Sequence, residues 1–397
     1  MAAQFKYIVV GAGMMGAAAA RHLSLESDGV ALIGPQEPTD IRSHQGVFAS
    51  HYDAARITRT IDDDADWARL ANRSIARYEE IERENGIGFY HEVGCLIVGK
   101  ARGTGSPYIE NVCAAAETLA VDADVLGDAE LVRRFPYFSF ESGCEGVFER
   151  RNAGHINPRE LVRAQILAAE KRSVTRYDDV VVSVRDEDGV AIVTNASGNS
   201  YTAEKVLVAA GGFSVADGLL PQPLSMNVYG RTVAFFEIDG SERARYAEMP
   251  SLIYEPSDPT KHIYLLPPVV YPDGKTYLNI GGEPDDIPLR TDAEIREWFR
   301  SGGKPAVRDH LAAIVETLVP SIDVSRISMA ACVTSYTPSG YPAIGFCGSE
   351  RIAVLTGGCG AAAKSSDEIG RLGAVLLTRG SVRDEGYDTD FVPAFGG

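Results

Sequence analysis

One stretch constrains the fold more than any other. A β-branched run from Phe5 to Val10 leads into Gly11-Ala-Gly13-Met14-Met15-Gly16, and then into an alanine-rich segment reaching Leu23. That order reads as strand, tight turn and helix. In such a unit Gly11 permits the turn, Gly13 lets the backbone approach a pyrophosphate, and Gly16 lets the helix pack closely on the strand. The free N–H groups at the helix start, around Met14 and Met15, favour a phosphate there. A second apolar run, residues 30–33, completes a βαβ unit. The acidic residue expected about 20 positions on is missing. Gly34 stands in its place, which leaves Gln36 or Glu37 to meet the ribose hydroxyl.

Two later stretches repeat the theme. Lys205 to Gly212 reads as a buried strand ending in glycines, Gly211 among them, about 190 residues after the first turn. Residues 352–356 read as a strand, Gly357 to Gly360 as a loop, and Lys364 onward as a helix with Ile369, Leu372, Val375 and Leu376 on one side. A dinucleotide fold split in this way is typical of flavoproteins; pyridine-nucleotide dehydrogenases usually keep theirs contiguous. Between these parts, residues 94–98, 180–184, 232–237 and 277–280 suit an antiparallel sheet, and 64–85, 158–171 and 292–318 suit helices. The expected fold is therefore α/β: a Rossmann-like domain interleaved with an α+β domain built on an antiparallel sheet.

Composition narrows the function. Across 397 residues, 38 Lys and Arg face 55 Asp and Glu, a formal net charge of −17 that repels nucleic acid and anionic lipid. No window offers the roughly 18 unbroken apolar residues of a membrane span. The apolar run at residues 7–10 is too short for a secretory leader. Six scattered cysteines form neither a CxxC pair nor a zinc-spaced cluster, so no metal site is expected and a cytoplasmic setting is.

At this point the chain resembles the D-amino-acid oxidase superfamily, and within it the monomeric sarcosine oxidase branch. The resemblance runs nearly end to end. It rests on the GAGMMG turn, on Ser50 to Arg59 with its paired arginines, and on Gly230 to Glu237. It rests also on Ala331 to Gly345 around Thr337-Pro338, and on Gly357 to Ser366 with its lysine. It implies FAD, a cofactor region spanning 1–85, 150–215 and 325–397, and a substrate region spanning 86–149 and 216–324. The implied reaction oxidises the C–N bond of an N-substituted glycine, sarcosine- or iminodiacetate-like, to an imine that hydrolyses. D-amino acids and proline-like imino acids are the alternative substrates. A flavin-carrying electron-transfer subunit is the alternative role, and a pyridine-nucleotide dehydrogenase a more distant one. The expected partners are a small amino-acid substrate and O2, a quinone or an electron-transfer protein, with the chain a monomer or small homo-oligomer.

The same resemblance implies site residues. Arg59 and Lys364 would hold the substrate carboxylate, Arg59 as a permanently charged fork, although Asp62 to Asp64 could satisfy the arginines instead. Lys364 also begins a helix whose N-terminus would steady negative charge on the flavin. Arg56 would lie by the flavin with His51 nearby, Tyr264 would line the substrate pocket, and Gly358 and Gly360 would close over the cofactor. Cys332 stands where that branch attaches flavin through a thioether; a buried small apolar residue is the other reading. Two positions depart from the pattern. Asn279 replaces an oxygen-activating lysine, with Lys275 nearby in a turn, which leaves oxidase and dehydrogenase both open. Glu283 replaces a histidine beside the substrate amine.

Overall fold

The computed structural model describes residues 4–282 and 284–396, so Glu283 lies outside the described residues. The first strand, Phe5–Val10, lies parallel between Val30–Ile33 and Ser200–Val208, and Ile352–Thr356 runs parallel on the far side of Ser200–Val208. Thr175–Tyr177 extends the edge beyond Val30–Ile33, Ala343–Phe346 pairs antiparallel with Ile352–Thr356, and the antiparallel pair Val181–Glu187 and Val190–Asn195 completes an eight-stranded sheet. Strands buried on both faces read as unbroken apolar runs, and Phe5–Val10 and Val30–Ile33 do so. Helices Met14–Glu26, Ala65–Asn85, Pro158–Lys171 and Ala362–Arg379 pack on one another over this sheet. The three glycine turns read from sequence thus gather at one end of a single sheet.

A second sheet of nine strands runs Ile287–Leu289, Asn227–Glu237, Thr276–Gly282, Ile263–Val270, Ser251–Glu255, Cys95–Lys100, Cys144–Glu149 and Ala123–Gly127, with Ile327–Tyr336 also beside Asn227–Glu237. It is antiparallel except where Ser251–Glu255 and Cys95–Lys100 run parallel. Ile327–Tyr336, expected with the cofactor region, pairs with Asn227–Glu237 over residues 327–336 in this second sheet. A small third sheet joins Arg56–Thr58, Gly154–Ile156 and Tyr90–His91.

One expected helix is two. Residues 292–318 break after Asp292–Ser301 at Gly302, whose φ of 75° is a left-handed cap, and Pro305 opens the next helix, Pro305–Leu318. Thr291 and Glu294 form a reciprocal cap at the start of the first.

Candidate active site

The two large sheets enclose a cavity of about 800 Å3. Gly11, Gly13, Met14, Met15, His51, Arg56, Arg59, Gly211, Tyr264, Cys332, Gly358, Gly360 and Lys364 all line it. These residues come from distant parts of the chain, and each was a candidate on sequence.

The glycines divide by task. Gly11 has φ of 103°, and a Cβ there would sit 2.4 Å from the Ala209 carbonyl oxygen. A Cβ on Gly16 would sit 1.9 Å from the Gly11 carbonyl oxygen, so Gly16 supports the turn from beneath and does not face the cavity. Over Gly13 the space is open: its Cβ would find only His51 Nδ1, 4.0 Å away. Gly13 caps the first helix without a side-chain hydrogen bond, so backbone N–H groups remain for a ligand. His51 Nδ1 is buried with no partner among the described residues. Burial, with Arg159 and Arg56 nearby, drives the His51 imidazole down to about 3, so it faces the cavity neutral. An open glycine cradle, an uncapped helix start and an orphaned ring nitrogen fit a bound dinucleotide.

The missing acid has a steric cause. Any side chain at Gly34 would meet Ala12 N at 2.4 Å. Gln36 and Glu37 do not take over its place on the wall. Gln36 binds both oxygens of Asp178 at 3.0 Å, Glu37 holds Arg159 through two 2.7 Å contacts, and neither lines the cavity. Asp179 does line it, an acidic group that the first βαβ unit gave no means of anticipating.

Arg59 and Lys364 converge on the same wall. Arg59 Nη1 donates to Asp62 Oδ2 at 2.9 Å, and Lys364 Nζ lies 3.0 Å from the same oxygen. The segment between Arg59 and Asp62 is pinned by the buried Glu149 carboxylate, which accepts from the N–H groups of Thr60 at 2.9 Å and Ile61 at 3.2 Å. Burial alone would raise the Asp62 carboxyl, but Lys364 and Arg59 outweigh it and hold it well below the usual range. Burial pushes the Lys364 ammonium down, and Asp62 opposes that shift.

Arg56 pairs with the buried Asp53 and lies 3.7 Å from Cys332 Sγ through Nη2. Tyr271 donates to Asp53 Oδ1 at 2.6 Å and receives Asn279 Nδ2 at 2.8 Å. Asn279 is itself buried behind the cavity wall, not on it. Lys275 cannot replace the missing cation, because it is exposed and bonded to Glu237 at 2.8 Å. Tyr264 lies flat over Gly281, where a Cβ would fall 2.4 Å from its hydroxyl oxygen. Glu255 and His262, unmarked by any motif, also line the cavity.

Residues 6–376 match the family described as FAD dependent oxidoreductase. The chain belongs to that family. It is 27% identical over 344 residues to the monomeric sarcosine oxidase of Bacillus sp. (strain B-0618), covering 85% of this chain and 82% of the relative. Its fold matches that of NikD, described as an unusual amino acid oxidase essential for nikkomycin biosynthesis. That match has a TM-score of 0.80 at 20% identity, over 100% of this chain and 99% of NikD. It also matches the iminodiacetate oxidase of Chelativorans sp. BNC1, with a TM-score of 0.71 at 18% identity over 94% of this chain and 95% of the other. The protein is an FAD-dependent amine oxidoreductase. No helix among the described residues is long and apolar enough to cross a membrane.

Proposed function

We propose that this protein oxidises the C–N bond of an N-substituted glycine or a closely related amino acid, sarcosine-like in its single small carboxylate-bearing arm. The observation that carries this reading is the convergence of Arg59 and Lys364 on the cavity wall. A buried pair of cations suits a carboxylate, and a carboxylate fixed at one end of an amino acid sets where its α-carbon and amine lie.

When bound, FAD supplies the two-electron acceptor that turns an amine into an imine. The chain's own residues hold and orient. Gly11, Gly13, Met14, Met15, Gly211, Gly358 and Gly360 would cradle the cofactor, and Arg56 and His51 would flank it. Arg59 and Lys364 hold the substrate carboxylate, and Tyr264 roofs the pocket and keeps water off the reacting amine. Cys332, on the wall beside Arg56, is the proposed point of covalent attachment. The region around the first sheet is the proposed cofactor domain and the second sheet the proposed substrate roof. All six cysteines are free, in keeping with a proposed cytoplasmic setting.

The buried Asn279 favours an acceptor other than O2, because it offers no cation to steady superoxide. Anaerobic mixing of the yellow protein with N-alkylglycines, D-amino acids and proline, followed at the flavin absorbance, tests the substrate. Bleaching by sarcosine-like amines is expected; bleaching by none of the three classes rejects the reading.

A further inference from the structure

Resting on Arg59 and Lys364 as the carboxylate holders, the structure assigns Asp62 a part in choosing substrate: it restricts the site to amines with one carboxylate and turns dicarboxylates away. Asp62 does not line the cavity. It sits behind the two cations with its Oδ2 shared between them, and its side chain is 10% exposed against 19% for Arg59 and 5% for Lys364. Asp62 is therefore a positioning residue, acting on substrate through its partners.

The argument is one of charge matching. Arg56, Arg231 and Arg296 also line the cavity, and each faces a carboxylate of its own: Asp53, Asp286 at 2.8 Å and Asp292 at 2.6 Å. Arg59 and Lys364 instead share Asp62, which leaves the group one positive charge in excess. One substrate carboxylate neutralises that excess. A second would enter a largely buried space unmatched, where an uncompensated charge is strongly disfavoured. Geometry agrees. Arg59 Nη1 is taken by Asp62 and by the Ile61 carbonyl at 2.5 Å, and no hydrogen bond among the described residues uses Nε or Nη2. That free edge matches one planar carboxylate bound by two parallel contacts. Glu255 is also on the wall, where burial pushes its carboxyl up and so disfavours the charged form.

The test uses the flavin-loaded protein and two ethers, methoxyacetate and diglycolate. They reproduce the shapes of sarcosine and iminodiacetate but carry no oxidisable amine. Calorimetry should find methoxyacetate bound at least about tenfold more tightly than diglycolate. Asp62→Asn should shift that ratio about tenfold or more towards diglycolate, and Asp62→Glu should restore it. A natural protein that prefers diglycolate, or an Asp62→Asn protein with an unchanged ratio, overturns the role of Asp62. The first of these measurements needs no variant, so a failure of Asp62→Asn to fold does not shelter the proposal. Arg59→Ala separates the two readings. If it binds methoxyacetate as the natural protein does, carboxylate docking itself fails. If it loses both ligands while the Asp62→Asn ratio stays fixed, only the role of Asp62 fails.

Discussion

Asn279 donates its side-chain amide to the Tyr271 hydroxyl at 2.8 Å, and that contact fixes what the position can do. Tyr271 in turn donates its hydroxyl hydrogen bond to Asp53, so the amide is held in a buried chain that ends on Arg56. The chain carries a dipole at this point and no mobile cation. Reoxidation of the reduced protein by O2 is expected to be slow, and a quinone or dye acceptor should outpace it. Asn279→Lys should speed the O2 reaction by about tenfold or more, since preorganised charge beside a developing anion lowers its barrier. Stopped-flow reoxidation measures this directly; a natural protein that reacts with O2 as fast as with the dye would remove the reason for looking to another acceptor.

Arg59→Ala should leave FAD bound but raise KM for the amino acid on the order of a hundredfold. The lost contact is a two-point, charge-assisted one in a mostly buried setting, worth about 3 kcal/mol. Flavin retention is expected because Arg59 is not one of the residues of the glycine cradle, and Lys364 keeps Asp62 paired at 3.0 Å. Steady-state kinetics alongside the flavin spectrum would separate this from general damage.

Cys332 should keep flavin attached after denaturation. Its Sγ lies on the cavity wall within 3.7 Å of the Arg56 guanidinium. Intact mass of the acid-denatured protein should exceed that of the bare chain by one FAD, and Cys332→Ser should abolish the increment. A natural protein with the mass of the bare chain would make Cys332 a packing residue.

The parts of the site that sequence could show are those whose reason is local. Gly11 and Gly16 are required by a turn only six residues long, so spacing alone reveals them, with Gly13 open between them. Arg59 and Lys364 could be named through resemblance, and Asp62 was visible as a neighbour. Nothing local showed that one Asp62 oxygen would serve both cations. The contacts that sequence could not show span long separations. Gln36 and Glu37 are claimed by Asp178 and Arg159, 142 and 122 residues away. Asp53 meets Tyr271 across 218 residues. The break in the long helix was locally encoded by Gly302 and Pro305, yet helical periodicity on both sides masked it.

Acid should destabilise the fold through two buried carboxylates. Asp367 is fully buried, and burial alone would raise it. His22 at 3.1 Å and Arg77 at 2.5 Å, with Gln165 at 2.9 Å, instead hold it far below the usual range. Asp62 is held low by Lys364 and Arg59. Both values lie below that of the unfolded chain, about 3.9. Their stabilisation is therefore complete above that pH and is lost as pH falls through and below it; raising pH from neutrality does not remove it. Urea unfolding between pH 7 and pH 3 should show a steep acid loss. Asp367→Asn should flatten that limb while costing about 3–5 kcal/mol at pH 7, because it strips a buried cationic cluster of its partner.

The first and last helices cross at Gly370, and that crossing sets how closely two helix starts approach the cavity. A Cβ on Gly370 would lie 2.4 Å from Ala18 Cβ, 2.7 Å from Ala19 N and 2.8 Å from the Met15 carbonyl oxygen. Two of these three are backbone atoms of the first helix, so the helices must part for any side chain to fit. Gly373, one turn on, would meet only the ends of Leu207 and Leu355, at 2.9 and 3.0 Å, which rotate more easily. Gly370→Ala should cost about 1–3 kcal/mol and Gly373→Ala clearly less. Parting the helices also moves Met14 and Met15 away from Lys364, so Gly370→Ala should weaken FAD loading while Gly373→Ala keeps it. Thermal melts with and without added FAD test both; equal losses in the two variants would show that the helix crossing does not govern the cradle.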